Sequence, residues 1–423
     1  MYPFFLRDSN NRITQITYPD VGTESFAYNS FGEVTTHTLQ NGGIWTYNYD
    51  ARGMKTWQMD PLGNKIDFTY DSMDRLATAY EEARALTVSF TYNSLNEITQ
   101  VTYPDATTTK YTYDVYGNKL STTDQLGNKW SYTYDAYSRL LTATDPLTRV
   151  TSYAYNIGSL SPLAFPAGSP SSVTSPGGIV KTYSYDADWR VLSCTVGAGT
   201  VDAATTSYAY DAVGNVVSGT DGDRNTSTFV YDNRNRKTSA TDALSNTVKW
   251  TYDACSNVLS CIAPNGTVTS NAYDWAGRVL QSTDPIKRVT SHSYDVSGNQ
   301  ISFIDGNCNL YTWNYDLLNR AVKESYPLGA TETWSYYPYG PLKSYTKRNG
   351  DVETYQYDNR DRPISWSWAS GITTFATYDG GGRTTQLQMG NFDLQLSVRQ
   401  RQRSHAGNSV AAYLGIGFGS IHI

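Results

Sequence analysis

The sequence predicts an all-β protein, an array of about seventeen antiparallel β-hairpin repeats. Three observations support this: a tyrosine followed by Asp or Asn recurs at a nearly fixed interval, apolar and polar residues alternate between these tyrosines, and each interval contains two turn signals. Self-similarity with a period of ~20–50 residues is typical of proteins whose repeats bury their apolar surface only by stacking on neighbours. We therefore expect one elongated array and not several separate domains.

Seventeen signature tyrosines define the repeat. Thirteen of the sixteen intervals between them are 21 residues long, and the others are 22, 30 and 25 residues. Sixteen of the seventeen are followed by Asp or Asn, and one is not. A degenerate unit is expected at residues 7–12, one period upstream of the first. The signature tyrosines are Tyr28, Tyr49, Tyr70, Tyr92, Tyr113, Tyr134, Tyr155, Tyr185, Tyr210, Tyr231, Tyr252, Tyr273, Tyr294, Tyr315, Tyr336, Tyr357 and Tyr378.

Each unit contains two turns, as residues 113–134 illustrate. The first turn, 114–118, begins with an Asp, whose carboxylate can accept backbone N–H groups within the turn. Its fourth residue is Gly117, which tolerates the positive φ of a three-residue hairpin loop with a bulge. The second turn, 124–128, has relatives such as 60–64, where a proline ends the preceding strand. The chain is thus predicted to reverse direction twice in every repeat.

The segments between the turns have the alternation of β-strands. Trp130, Tyr132 and Tyr134 fall on one face, and Ser131 and Thr133 fall on the other. The residue two before the signature tyrosine is aromatic in fourteen of the seventeen units. A period of two with aromatic and Thr enrichment indicates strands, and no segment of the repeats has a helical stripe of useful length. Each unit is therefore predicted to be one β-hairpin.

The number of strands decides the predicted shape. Seventeen hairpins give more than thirty strands, whereas open twisted sheets rarely exceed ~10 strands without curling, splitting or flattening. A single flat sheet would leave its aromatic face in water. We therefore expect the repeats to curl into a partial hollow β-shell or spiral that sequesters one face.

The predicted organisation has four segments. Residues 1–155 form the first part of the array, 156–184 a Pro-, Ser- and Gly-rich insertion loop, 185–385 the second part, and 386–423 a tail without the repeat. The insertion has no hairpin pattern of its own, so a loop projecting from one continuous sheet is favoured over a domain boundary.

Charge and hydropathy disfavour several function classes. The net charge is −6, and only 17% of the residues are charged, so no basic stripe for nucleic acid is expected. No apolar run approaches the ~20 residues that span a bilayer. The N-terminal apolar stretch is too short for the ~7–15-residue core of a signal peptide. Secretion or surface display would therefore need a dedicated system, and a fragment that is not exported would stay cytoplasmic.

No residue constellation predicts catalysis, a cofactor or a metal site. None of the four histidines has the spacing of a metal-ligand motif, and His292 is expected to pack in a strand in place of an aromatic residue. The acidic turns lack the dense carboxylates of a calcium loop. The four cysteines lack paired spacing and are expected to be free thiols; they are Cys194, Cys255, Cys261 and Cys308.

Aromatic side chains are the remaining binding candidates, because sugars stack on exposed rings. The strand aromatics are expected to form a packed ladder, and four tryptophans outside that register are the candidate glycan contacts. Two lie in turns and two share one strand face. They are Trp189, Trp275, Trp366 and Trp368.

The signature resembles the YD-repeat, or RHS-repeat, family, which includes Rhs and wall-associated polymorphic toxins, toxin-complex C-type subunits and the teneurin YD shell. The matching segments are the Tyr-Asp-x-x-Gly-Asn form at 113–118, 210–215 and 294–299 and the Arg form at 134–139, 231–236, 273–278 and 315–320. The resemblance covers roughly residues 7 to 385 and implies a β-strand spiral that forms a hollow cocoon. In the toxin members this cocoon encloses a C-terminal polypeptide.

One departure from that family concerns its C-terminal core. Complete toxin-type members close the array with an Asp-Pro-x-Gly core segment that holds a self-cleavage site, and nothing in this sequence matches it. The chain therefore resembles an incomplete member, whose tail is a foreign C-terminus, a toxin remnant or the product of a reading-frame error. Self-cleavage and an enclosed toxin are not carried over.

Two functions are left open by the sequence. The first is a non-enzymatic shell segment that encapsulates or presents a polypeptide, with a C-terminal toxin or a cap protein encoded nearby as the expected partner. The alternative is a cell-surface adhesion protein that binds glycans. A toxin activity within residues 386–423 is disfavoured, because so short a segment rarely folds into an enzyme without disulfides or metals.

Overall fold

The computed structural model describes residues 3–19, 22–155, 169–338, 340–368, 371–390 and 392–395. In this part of the chain 37 β-strands join in one sheet. Each strand pairs antiparallel with the next strand along the chain, as β1 with β2 and β36 with β37, so the sheet is an unbroken meander. The predicted all-β array of hairpins is confirmed.

The strands are numbered in chain order. From β1 to β18 they are Phe4–Arg7, Ile13–Thr17, Thr23–Tyr28, Val34–Thr38, Ile44–Tyr49, Lys55–Met59, Lys65–Tyr70, Leu76–Glu81, Leu86–Tyr92, Ile98–Thr102, Thr108–Tyr113, Lys119–Thr123, Lys129–Tyr134, Leu140–Thr144, Val150–Ala154, Ser172–Thr174, Val180–Tyr185 and Val191–Val196. From β19 to β37 they are Ala204–Tyr210, Val216–Thr220, Thr226–Tyr231, Lys237–Thr241, Thr247–Tyr252, Val258–Ile262, Val268–Tyr273, Val279–Thr283, Val289–Tyr294, Gln300–Ile304, Leu310–Tyr315, Ala321–Ser325, Thr331–Tyr336, Leu342–Thr346, Val352–Tyr357, Pro363–Ser367, Thr373–Tyr378, Thr384–Met389 and Phe392–Gln395.

The period of 21 residues follows from the geometry of one hairpin. The turn after the signature tyrosine, which we call the YD turn, is closed by hydrogen bonds from Asp114 N–H to the Asn118 carbonyl (3.0 Å) and from Gly117 N–H to the Asp114 carbonyl (3.3 Å). Tyr113 opposes Lys119 whereas Thr112 opposes Ser121, so one extra residue forms a bulge beside each YD turn. The second turn, at the opposite edge of the sheet, is followed by regular pairing.

The two ends of the array and its interruption agree with the repeat. Residues 8–12 form a YD turn between β1 and β2, with an Asp8–Arg12 ion pair of 2.7 Å, so the degenerate first unit is a hairpin. Of the predicted insertion loop at 156–184, residues 156–168 lie outside the described residues. The prediction is wrong for the remainder, where β16 and β17 form a hairpin that keeps the meander continuous. At the C-terminal end β36 and β37 extend the sheet into the segment predicted as a tail, and 396–423 lie outside the described residues.

The sheet coils until its edges meet. The second turn after β2 lies against the YD turn after β25, where the Tyr18 and Trp275 rings are 6.1 Å apart. The second turn after β4 contacts the YD turn after β29 through Asn41 and Leu317 (3.2 Å). One turn of the coil thus takes 23–25 strands. With strands ~4.8 Å apart, the coil is about 35–40 Å across.

A coil of this width has a lumen. Sheets that pack face to face are only ~10 Å apart, so side chains from opposite walls cannot meet across it. In agreement, Leu86 (8% exposed) and Ala376 (5%) are the only buried apolar residues in the described part of the chain. The described part of the chain is therefore a thin wall without a compact core.

The left-handed glycine of the YD turn gives a direct test of the hairpin geometry. Gly117 has φ +85°, whereas Gly177 has no positive φ and has open space around its Cα. We expect Gly117→Ala to lower the free energy of unfolding by about 1 kcal/mol and Gly177→Ala to leave it nearly unchanged. Urea unfolding followed by circular dichroism measures both, and equal effects of the two substitutions would contradict the assigned turn.

Candidate functional site

The signature tyrosine ties each hairpin to the one before it. Fifteen of the seventeen donate their hydroxyl to a backbone carbonyl of the preceding hairpin at 2.6–3.0 Å; the acceptor is the first residue of a strand in fourteen of them and Pro170, two residues before β16, in the other. Tyr252, for example, donates to the Lys237 carbonyl at 2.6 Å. Each ring therefore spans the gap between two successive YD turns.

The contact satisfies a carbonyl that the strand ladder leaves open. Between hairpins the ladder covers only the half nearest the second turn; β22 and β23 pair from Thr241–Thr247 to Ser239–Lys249 and no further. Lys237, the first residue of β22, therefore has no strand partner on that side, and the tyrosine hydroxyl takes the place of a backbone N–H. Buried backbone carbonyls are nearly always paired in this way.

In the Arg-form units a guanidinium adds a second tie. Arg236 forms an ion pair with Asp232 of its own turn (2.7 Å), donates to the Asp253 carbonyl of the next YD turn (2.7 Å) and lies 4.7 Å from the centre of the Tyr252 ring. Eight units share this position over the next signature tyrosine, at 4.4–5.0 Å. They contain Arg12, Arg75, Arg139, Arg190, Arg236, Arg278, Arg320 and Arg362. Cation–π contact and charged hydrogen bonds thus act together.

The Asp of the YD turn holds the turn closed. In 232–236 its carboxylate accepts the backbone N–H groups of Arg234 (2.9 Å) and Arg236 (3.1 Å). Hydrogen bonding from the Arg236 side chain lowers the pKa of Asp232 to about 2. A carboxyl group with a lowered folded-state pKa stabilises the fold above its unfolded pKa of ~3.9, and this stability is lost as the pH falls through the folded value.

Polar contacts join successive turns of the coil along a line that we call the seam. The seam is formed by the second turns that begin at residues 18, 39, 60, 82, 103 and 124. They face the YD turns that begin at residues 274, 316, 337, 358 and 379. Asn64 donates to the Pro338 carbonyl at 2.6 Å. Arg84 pairs with Asp361 at 2.5 Å, and Arg360 pairs with Asp105 at 3.0 Å.

The last pair of turns in the seam, 124–128 and 379–383, is joined by an apolar contact. Leu126, the third residue of a second turn, lies against Gly380 and Gly381, and a Cβ on Gly381 would collide with its side chain. The side chain of Leu126 thus enters a notch that only glycine leaves open. The seam combines apolar insertion with a few ion pairs.

The four candidate glycan contacts do not form one site. Trp275 lies at the seam against Tyr18. Trp189 lies in a YD turn with its ring 6.4 Å from that of Tyr185. Trp366 lies on β34, opposite Tyr355 of β33 and Thr374 of β35. Trp368 follows β34, and the Lys347 ammonium lies 4.8 Å from the centre of its ring. The assignment of glycans to these residues stays a prediction.

A charged cluster near the C-terminal end was missed in the sequence. Most units have an apolar or hydroxyl residue four positions before the signature tyrosine, and two successive units have Glu332 and Glu353 there instead. Both are only 9% exposed. The Arg348 guanidinium pairs with Glu332 at 3.0 Å, and the Lys347 ammonium pairs with Glu353 at 2.6 Å. The sequence did carry a signal for this cluster, because Glu replaces the usual apolar or hydroxyl residue at this position in two successive units.

The tyrosines of this cluster are held in their neutral form. Burial, followed by the hydrogen bond to Glu332, raises the pKa of Tyr345 to about 12. Burial would raise the pKa of Glu332 itself, but hydrogen bonds from Arg348, Tyr345 and Tyr326 together keep that pKa below its usual value. The cluster is therefore a satisfied network of pairs, as buried charges require.

Other expected absences concern only the described part of the chain. There, no group of three or more His, Cys, Asp and Glu side chains could hold a metal ion, and no helix is long and apolar enough to cross a membrane. His292 packs 5.0 Å from Phe303, as expected of a strand residue. All four cysteines are free thiols, which confirms that prediction.

Two family models match the repeats. The model of the teneurin YD-shell matches residues 177–353, and the model of the RHS repeat matches residues 119–150. A curated relative, double-stranded DNA deaminase toxin A of Burkholderia cenocepacia (strain H111), is 27% identical over 106 residues, which are 25% of this chain and 7% of that protein. The chain thus spans a small part of this relative.

Solved structures with the same fold come from Tc toxins. The crystal structure of TcdB2-TccC3-TEV superimposes with a TM-score of 0.73 at 14% identity, over 91% of this chain and 25% of that one. TcdB2-TccC3 without its hypervariable C-terminal region gives 0.74 at 15% identity, over 92% and 25%. A Photorhabdus luminescens Tc holotoxin pore gives 0.61 at 15% identity, over 93% and 28%. This chain therefore spans about a quarter of the length of those chains.

Fold and contacts together define a coiled β-shell made of hairpin repeats, in which tyrosines fasten neighbouring hairpins and a seam of six second turns joins successive turns of the coil. With the two family models matching residues 119–150 and 177–353, the repeats of this chain are similar to those of the teneurin YD-shell and the RHS repeat.

The tyrosine hydroxyl is expected to contribute measurable stability. Tyr252→Phe removes the hydrogen bond to Lys237 and should cost about 0.5–1.5 kcal/mol of unfolding free energy. Tyr116→Phe is the matched control, because that side chain is 83% exposed in a YD turn. Equal unfolding midpoints for the two variants would show that the signature hydroxyl does not fasten hairpins.

The seam is expected to hold the coil closed without being needed for the strands. Leu126→Asp places a carboxylate against the Gly380–Gly381 notch and should raise the radius of gyration in X-ray scattering with little change in the far-ultraviolet circular dichroism. Leu244→Asp changes the same position of a second turn outside the seam, where the side chain is 83% exposed. An unchanged radius of gyration in Leu126→Asp would contradict the role of the seam.

Proposed function

We propose that this chain is a wall segment of a non-enzymatic YD/RHS shell that encloses another polypeptide. The observation that carries the proposal is the coil itself, about 35–40 Å across with strands ~4.8 Å apart and with very few buried apolar side chains in its described part. A wall of this kind buries little of its own surface. Its shape suits the containment of a chain that must be kept apart from its surroundings.

The chemistry of the wall supports containment over catalysis. The aspartates of the YD turns accept backbone N–H groups, and their arginines pair with them, so the recurrent charged residues are occupied in structure. The buried Glu332 and Glu353 are paired with cations as well.

The partner and the location extend the same proposal. Tc toxin structures share the fold, and a curated toxin shares part of the sequence. We infer that the enclosed polypeptide is a toxin or another exported protein, and that the shell is secreted or displayed at the cell surface.

Protease protection tests containment. A flexible reporter polypeptide fused after Ile423 of the full chain should be digested several-fold more slowly than the free reporter. Leu126→Asp, which opens the seam, should remove most of that protection, whereas Leu244→Asp should keep it. Equal digestion of the reporter in all three fusions and in the free form would refute enclosure.

A further inference from the structure

The seam joins second turns to YD turns. Turns of both kinds also lie along the two edges of the coil, where no other described turn covers them. Within the chain, six second turns from 18–22 to 124–128 cover YD turns between 274 and 383. In the described part of the chain, the YD turns that precede residue 258 therefore form one rim of the coil, and no described turn lies above them. The second turns from 145–149 onward form the opposite rim, and no described turn lies below them. We call these the YD rim and the second-turn rim.

Several turns of each rim carry an exposed apolar side chain at the third position, the position that Leu126 and Gly381 occupy in the seam. In the seam, Leu126 is the third residue of its turn and is half-buried against Gly381. On the second-turn rim the third residues include Ile286 (71% exposed) and Leu328 (106%). The YD rim has Tyr116 and Tyr137 at the third position of its turns, also exposed. Exposed apolar residues that recur along one edge mark an interaction surface.

The hydrogen bonds of the rims leave these side chains available. On the YD rim the polar groups bond within their own turn or to the adjacent turn; Asn118, for instance, donates to Asp114 (2.8 Å) and to the Ser138 hydroxyl (3.0 Å). On the second-turn rim Arg288 pairs with Asp284 of the same turn at 2.7 Å. The turns are thus closed and rigid, and their crests project outward.

The extents of the two rims also match. The YD rim contains eleven turns in the described part of the chain, and the second-turn rim contains eleven. The seam itself uses only six second turns. A contact of the seam type between two whole rims would therefore involve nearly twice as many turns as the contact that already holds the coil together.

We propose that the second-turn rim of one copy of this chain binds the YD rim of a second copy, continuing the seam between molecules. The occupant is argued from continuity, because one chain has both complementary surfaces and already joins them within itself. Such a head-to-tail contact leaves one rim free at each end, so it generates open linear stacks and not closed dimers. The proposal does not depend on what, if anything, the shell encloses.

Sedimentation velocity of the full chain over a range of concentrations tests the stack. We expect oligomers that grow with concentration up to about 0.1 mM, a range that detects weak association. A YD-rim variant, Tyr116→Asp with Tyr137→Asp, and a second-turn-rim variant, Ile286→Asp with Leu328→Asp, should each be monomeric. Leu259→Asp, on a strand and not in a rim, is the control and should associate like the unmodified chain.

The decisive measurement mixes the two rim variants. Each retains the rim that the other has lost, so an equimolar mixture should give a one-to-one dimer that grows no further. Far-ultraviolet circular dichroism of each variant confirms that the strands are intact. A monomeric unmodified chain, continued association of either variant alone, or a mixture that remains monomeric would each overturn the proposal.

Discussion

The hydrogen bond from a tyrosine hydroxyl to a carbonyl of the preceding hairpin is the contact on which the shell depends. Strand pairing between hairpins stops short of the YD edge, as at Ser239–Lys249, so without the ring this edge would have open carbonyls and a gap. The tyrosine fills the gap and pairs the carbonyl, and in eight units an arginine covers its ring, as at Tyr252. The recurrence of one residue type every 21 positions therefore reflects one recurrent geometric need.

Much of this could be predicted from the sequence because the determinants are local. The Asp and Gly of 114–118 specify a turn with positive φ, the alternation at Trp130–Tyr134 specifies a strand, and the constant period specifies that neighbouring hairpins are alike. Together these give the meander and its curl. The role of the tyrosine hydroxyl was not predicted, because its acceptor is a backbone carbonyl and backbone atoms leave no trace in a pattern of side chains.

The seam could not be predicted for a different reason. Which turns meet depends on how many strands complete one turn of the coil, a quantity set by twist and bulges accumulated over 23–25 strands. Small changes in twist per strand would bring other turns together. The Leu126–Gly381 contact joins residues that no local rule relates. Glu332 is an intermediate case, since its departure from the register was visible but its partner Arg348 was not.

Contacts between neighbouring hairpins and contacts across the seam stabilise different features of such a wall. In a repeat array, stability is approximately the sum of terms for each unit and its neighbours, so the loss of one tyrosine contact weakens one junction among many. The seam is different because its few contacts, such as Arg360–Asp105 and Leu126–Gly381, constrain the whole circumference at once. Opening the seam therefore leaves the hairpins formed while the lumen loses its boundary. A wall built in this way can persist as a sheet and yet open, because the interactions that form the strands are not those that close the coil.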